Sequence, residues 1–138
     1  MPVEFRAIRP DELPEFATVN LTAFGEHVDP WHERWFQQRV RAEGTVAAFA
    51  DGRMVGSSLA LPLEIGLPGA VVSAAGVTAV GVLPTHRRRG LLREMMTRQL
   101  LAARQGGLAL AVLWASEGGI YSRFGFGPAA RSWRIALE

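Results

Sequence analysis

One segment constrains this chain more than any other: Val80-Gly81-Val82-Leu83-Pro84-Thr85-His86-Arg87-Arg88-Arg89-Gly90-Leu91-Leu92-Arg93. An apolar strand runs into a proline stop, then a turn of three arginines, one glycine and the start of a helix. A strand delivered into a helix N-terminus leaves several backbone N–H groups unpaired at the positive end of the helix dipole, a natural seat for a pyrophosphate. The arginines add charge-assisted bonds, and Gly90 lets the backbone come close to the ligand. The segment predicts a site for a phosphate-bearing cofactor.

The rest of the composition narrows what can carry that loop. A length of 138 residues fits a single domain with a sizeable core, expected to span 1–138. Hydrophobic residues at 49% and charged residues at 20% describe a soluble globular chain with no run long enough to span a bilayer. Met1-Pro2-Val3-Glu4 shows no signal-peptide pattern, so a cytoplasmic protein without a membrane partner is expected. The chain has no cysteine, which excludes disulfides, cysteine-ligated metal and a cysteine acyl-enzyme, and no metal site is expected. All fifteen basic residues are arginine, yet the formal net charge is only +2. Arg87, Arg88, Arg89 and Arg93 cluster while Asp11, Glu12 and Glu15 dominate the first helix. This pattern implies one anionic ligand rather than a nucleic-acid-binding face.

Strands and helices alternate along the sequence. Phe5, Ala7 and Ile8 predict a first strand, and Asp11 to Phe24 a helix with Leu13, Phe16, Val19, Asn20 and Ala23 at helical spacing. Asp29 as N-cap and Pro30 at the first helical position predict a second helix to Ala42. Thr45–Ala50 and Arg53–Ile65 form a hairpin around Asp51-Gly52, and Val71–Val82 follows the Pro68-Gly69 turn. Leu91–Arg104 is a helix with Leu92, Met95, Met96, Leu100 and Leu101 on one side. Leu108–Trp114 reads as a strand buried on both faces, Ser116–Phe124 as a short helix and Arg131–Leu137 as a last strand.

At this point the residues resemble the Gcn5-related N-acetyltransferase (GNAT) superfamily, whose cofactor motif is a strand followed by Arg/Gln-x-x-Gly-x-Gly/Ala. Here Arg87-Arg88-Arg89-Gly90-Leu91-Leu92 matches it, with Leu92 in place of the usual small residue. Three longer strings resemble the Eis-type (enhanced intracellular survival) acetyltransferases, in which that leucine is normal. They are Pro84–Arg93, Trp114-Ala115-Ser116-Glu117-Gly118-Gly119-Ile120-Tyr121 and Arg123-Phe124-Gly125-Phe126-Gly127-Pro128-Ala129. The resemblance covers the first domain of proteins about three domains long, so this chain is expected to be an N-terminal fragment of one. It implies an α/β (α+β) GNAT fold: a central mixed, mostly antiparallel sheet flanked by helices, with a splayed strand feeding a cofactor-binding helix.

The resemblance also implies acetyl-coenzyme A as cofactor. Val80, Gly81 and Val82 would pair with its pantetheine arm and Arg87, Arg88, Arg89, Gly90, Leu91, Leu92 and Arg93 would hold its pyrophosphate, with Ser116 and Glu117 as further contacts. On pattern alone, the lesser reading of Val80–Val82 is a bulged core strand with Arg87–Arg89 as a solvated turn, while Ser116 and Glu117 read equally well as the N-cap and first turn of the short helix. Tyr121, the only tyrosine, aligns with the family's general acid; without the motif it reads as a phenol hydrogen-bonded in the core. Glu26 and Trp35 fall where Eis-type enzymes present an acidic and an aromatic wall to aminoglycosides, although carboxylates in water and a packing tryptophan explain them too. In that family the proton acceptor is the terminal carboxylate of the full-length protein; Glu26, Glu64, His27 and His32 are the alternatives within this chain.

The resulting expectation is an N-acetyltransferase domain that transfers acetyl by direct attack to a primary amine of a small polycation, aminoglycoside-like, or to lysine. A coenzyme A binding module without independent turnover is the alternative. Neither nucleic acid nor membrane is an expected partner, and full-length relatives of this type are homo-oligomeric, as hexamers.

Overall fold

The computed structural model describes residues 2–132, 135 and 136. Its elements are β1 (Val3–Arg6), α1 (Leu13–Ala23), α2 (Pro30–Arg39), β2 (Ala47–Ala50), β3 (Arg53–Leu67), β4 (Ala70–Val82), α3 (Leu91–Gln105) and β5 (Leu110–Leu113). They form one five-stranded sheet in the order β1-β2-β3-β4-β5, antiparallel except for the parallel β4–β5 pair. Helices α1 and α2 cover one face, where Phe16, Val19 and Phe36 pack on Phe49, Met54 and Leu59. Helix α3 covers the other, where Leu91 and Met95 meet Ala48, Val55 and Val82. Among the described residues no helix is long and apolar enough to cross a membrane.

The turns follow from local chemistry. Asp51 and Gly52 both have positive φ, as a two-residue hairpin turn of the primed type requires. The N-terminus of α1 is fixed by Glu12, a carboxylate that is only 8% exposed and accepts two bonds from Arg6 at 2.8 Å and one from the Arg9 backbone N–H at 2.7 Å. The Arg6 hydrogen bonds, seconded by the Arg9 N–H, lower its pKa to about 2. This clamp turns residues Pro10–Glu12 into a 3₁₀ turn, so α1 starts at Leu13 rather than at Asp11.

Other boundaries depart from expectation for identifiable reasons. β1 lies at Val3–Arg6 instead of extending to Ile8, which is nevertheless buried. The α3 face that packs is Leu91, Met95, Met96 and Gln99, while Leu101 is exposed. Gln99 is tolerated inside because its side-chain amide donates to Gly44 O at 3.1 Å and Ser58 Oγ at 3.2 Å. β5 is not buried on both faces: it is the sheet edge, with Leu110 exposed and Ala111 to Leu113 half-buried. Ser116–Phe124 forms two 3₁₀ turns, Gly118–Ile120 and Ser122–Phe124, instead of a helix. The expected last strand falls partly on residues 133, 134 and 137, outside the described ones; Arg131, Ser132, Ile135 and Ala136 carry no strand.

Two irregularities open the sheet beside β4. β5 pairs with it only over Ala74–Val77, so among the described residues Thr78–Val82 has no strand on that side. On the β3 side, Ser57 opposes Gly81 while Leu59 opposes Thr78, so β4 holds one extra residue at a bulge. Ala79 takes the left-handed conformation there, φ +51°. Ser57 Oγ donates to Ala79 O at 2.8 Å and receives Asn20 Nδ2 at 3.2 Å, which ties the bulge to α1.

Candidate functional site

The bulge and the turn into α3 define a cleft of about 870 Å³. Its floor is the open edge of β4, with Val80, Gly81 and Val82. Strand backbone without a neighbouring strand offers N–H and C=O groups to an extended, amide-bearing ligand. At one end the chain enters α3. His86 N–H reaches Leu83 O and Glu94 N–H reaches Gly90 O, but among the described residues no backbone N–H from Arg87 to Arg93 has a partner. Gly90, the α3 N-cap, has φ +79°, no side chain to cap the helix, and open space where a Cβ would stand. A run of unpaired donors at a helix N-terminus is a seat for phosphate oxygens, and these residues fit a pyrophosphate-bearing cofactor.

The arginines divide their labour. Arg87 lines the cleft, but its guanidinium donates to Ala23 O at 2.8 Å and Val82 O at 3.3 Å, locking the end of β4 to the end of α1. Arg88 and Arg93 line the cleft and are exposed; Arg89 does not line it. Gly81 also has a structural reason: a Cβ there would stand 2.8 Å from Ala23 Cβ, so the glycine admits α1 rather than a ligand. Leu91 and Leu92 line it from α3, and Ser116 and Glu117 from the segment after β5. Glu117 is the N-cap of the first 3₁₀ turn without making a side-chain cap bond, so capping does not account for it.

Tyr121 lines the cleft as well. Its ring is buried among Val77, Val80 and Met96 and stands edge-on to Phe126 at 6.2 Å. Among the described residues its hydroxyl has no hydrogen-bond partner, so it is not the satisfied core phenol that its type alone suggests. Burial, seconded by the charge of Glu117, raises its pKa above the ordinary tyrosine value. The phenol therefore keeps its proton at neutral pH.

A second cavity of about 270 Å³ opens beyond Tyr121. Phe24, Val80, Ser116 and Tyr121 line both spaces, so the two meet at the phenol. Trp31, His32 and Trp35 come from α2, Thr78 and Ala79 from the bulge, and Trp114 from the chain after β5. Trp35 is the expected wall residue that lines this cavity. Glu26 is not in the lining but stands behind it, with Oε2 3.6 Å from His32 Nε2. Asp29 caps α2 by accepting the His32 backbone N–H at 2.8 Å, the main cause of its lowered pKa. Sequence reasoning missed Phe24, Trp114 and Thr78 as wall residues. The signals were present, an aromatic closing α1 and another following β5, but only packing brings them together.

Known proteins resemble this chain in sequence and fold. Residues 4–129 match the model of the acetyltransferase (GNAT) domain. The chain is 38% identical to the N-acetyltransferase Eis of Mycobacterium bovis over 133 residues, 93% of this chain and 33% of that protein. It superposes on the crystal structure of Eis1 from Mycobacterium abscessus with a TM-score of 0.81 at 32% identity, covering 91% of this chain and 31% of the other. The aminoglycoside acetyltransferase AAC(6')-Iy, solved with a bisubstrate analogue, is 16% identical with a TM-score of 0.78 over 100% of this chain and 99% of its own, a likeness of fold alone. The chain thus spans about a third of the length of the curated relatives it matches.

Proposed function

Because this chain belongs to the acetyltransferase (GNAT) domain family, we propose that it is an acetyl-coenzyme A dependent N-acetyltransferase domain acting on a primary amine by direct attack. The observation that carries the reading is that Tyr121 lines both the cleft and the second cavity and that its proton-bearing hydroxyl has no hydrogen-bond partner among the described residues. The cofactor supplies an acyl group on a thiol leaving group. The N–H groups from Arg87 to Arg93, with the Arg88 and Arg93 guanidiniums, bind the pyrophosphate. The open edge of Val80–Val82 aligns the pantetheine arm by backbone pairing, with Ser116 and Glu117 on the other wall. Tyr121 holds the proton that the departing sulfur needs.

The second cavity supports the choice of acceptor. Trp31 and Trp35 line it with indole rings, which suit a cation, and the carboxylates of Glu26 and Asp29 beside His32 add negative charge nearby. A small polycation of the aminoglycoside or polyamine kind fits these walls, and so does a lysine side chain.

The test follows thiol release from acetyl-coenzyme A with spermidine, an aminoglycoside and an α-blocked lysine amide, beside thermal unfolding with and without coenzyme A. Amine-dependent thiol release is expected together with stabilisation by coenzyme A. Stabilisation with no turnover on any amine would leave a coenzyme A binding module. No response to coenzyme A would remove the reading altogether.

A further inference from the structure

Among the residues that α1 buries, Asn20 is the only polar one, at 6% exposure. Half of its amide has a place in the fold: Nδ2 donates to Ser57 Oγ at 3.2 Å. That bond also fixes which way the amide points. Ser57 Oγ gives its one hydrogen to Ala79 O at 2.8 Å, so it can only accept from Asn20, and Oδ1 must lie on the other side of the amide. Among the described residues Oδ1 accepts no hydrogen bond. Nor is it sealed in, because the one fully covered side-chain N or O without a partner is His32 Nδ1. The oxygen is therefore open to the space that Asn20 lines, which is the second cavity. Leu21, Phe24 and Phe36 are apolar neighbours in that lining, a setting in which one fixed polar atom orients a ligand.

We propose that Asn20 Oδ1 accepts a hydrogen bond from a second N–H or O–H donor of the acceptor, and so selects diamines, polyamines and amino alcohols over apolar monoamines. The inference rests on the acetyltransferase reading above. Ser116 and Tyr121 line the cofactor cleft as well, whereas Asn20, His32 and Thr78 are the polar residues that line the second cavity alone. A donor that meets Asn20 therefore belongs to a part of the acceptor other than the nitrogen presented to Tyr121. A carbonyl oxygen left without a donor is unfavourable, and a ligand N–H or O–H satisfies it. The oxygen is also held in place before any ligand arrives. The chain of bonds from Ala79 O through Ser57 to Asn20 ties it to the β4 bulge, next to Val80, which lines both spaces. Such a preset acceptor loses little freedom on binding. A charged donor makes the stronger bond, so an ammonium is preferred to a hydroxyl.

The full chain tests this with spermidine, which carries further donors, against hexylamine, which carries none. Asn20→Leu keeps the shape of the side chain and removes the acceptor oxygen. The KM for spermidine is expected to rise about tenfold and that for hexylamine by less than about twofold. For spermidine the loss is expected in KM far more than in kcat, as for a contact made equally in ground and transition states. Asn20 is neutral and its bond is local, so the difference should persist at about 1 M salt. Stabilisation by coenzyme A reports an intact fold. A second measurement needs no variant. Asn20 is the only asparagine of the chain, so asparagine-selective labelling gives a single side-chain amide, whose resonances are expected to move with spermidine and far less with hexylamine. An equal rise in KM for both amines, no rise for spermidine, or an amide signal indifferent to spermidine would overturn the proposal. Absence of wild-type turnover on every amine would instead overturn the acetyltransferase reading, and the amide signal would still decide whether Asn20 binds the polyamine.

Discussion

The cofactor cleft and the acceptor cavity share Tyr121 but are made of different material. The cleft is largely backbone: an open strand edge and the N–H run of one helix start, contributed by residues 80–93 in continuous sequence. The cavity is side chains, gathered from α1, α2, the β4 bulge and the segment after β5. A backbone site depends on φ/ψ and topology, which many side chains can satisfy. A side-chain site depends on which residues tertiary packing brings together, and it changes with each substitution. The same fold can therefore keep its donor while altering its acceptor.

Tyr121 belongs to both regions, and its loss is expected to be the largest effect. Tyr121→Phe keeps the ring among Val77, Val80 and Met96 and removes only the proton donor. Turnover is expected to fall about 10²-fold or more, with coenzyme A affinity nearly unchanged. Because its pKa is raised, no loss of wild-type rate from phenol ionisation is expected below the ordinary tyrosine value of 10.0. Equal rates for the two proteins would take Tyr121 out of the chemistry and leave the meeting of the cavities without a function.

The next effect tests whether the cleft truly depends on framework. Gly81→Ala places a methyl 2.8 Å from Ala23 Cβ, and pushing α1 off the sheet is expected to cost about 1–3 kcal/mol. Thermal unfolding measures this as a drop of several degrees. An unchanged midpoint would show that α1 yields freely and that Gly81 is there for another reason. Smaller still, replacing Arg88 and Arg89 together with alanine is expected to weaken coenzyme A binding about tenfold while leaving the amine KM within error. Most of that loss belongs to Arg88, which lines the cleft, and little to Arg89, which does not. Calorimetry of the single variants separates them, and equal contributions would contradict the geometry.

This contrast also explains what was legible in the sequence. The strand-to-helix motif could be read because backbone sites leave contiguous signatures: a proline stop, arginines, Gly90 and helical periodicity. The element order was legible for the same reason, since turns such as Asp51-Gly52 and Pro68-Gly69 are local. Arg87 was read as a phosphate ligand because nothing in the sequence reveals that Ala23 O lies within its reach. The start of α1 was misplaced because the Arg6–Glu12 clamp joins two elements across a turn. His32 is one of four alternatives in the sequence, and only packing brings it into the lining of the second cavity. The bulge at Ala79 had no sequence signal, because alanine is an ordinary residue in a conformation that favours glycine.

The smallest effect sharpens the acceptor side. Glu26 stands behind the cavity, 59% exposed, so its charge reaches an incoming amine through screened solvent. Glu26→Gln is expected to raise the KM for spermidine about threefold at low salt, with the acetyl-coenzyme A KM unchanged. At about 1 M salt, where screening extends only about 3 Å, the difference between variant and wild type should vanish. A monoamine carries fewer charges into the same field and should respond less than spermidine. A salt-independent change would mean that Glu26 touches the acceptor directly, and the cavity would then extend to its carboxylate.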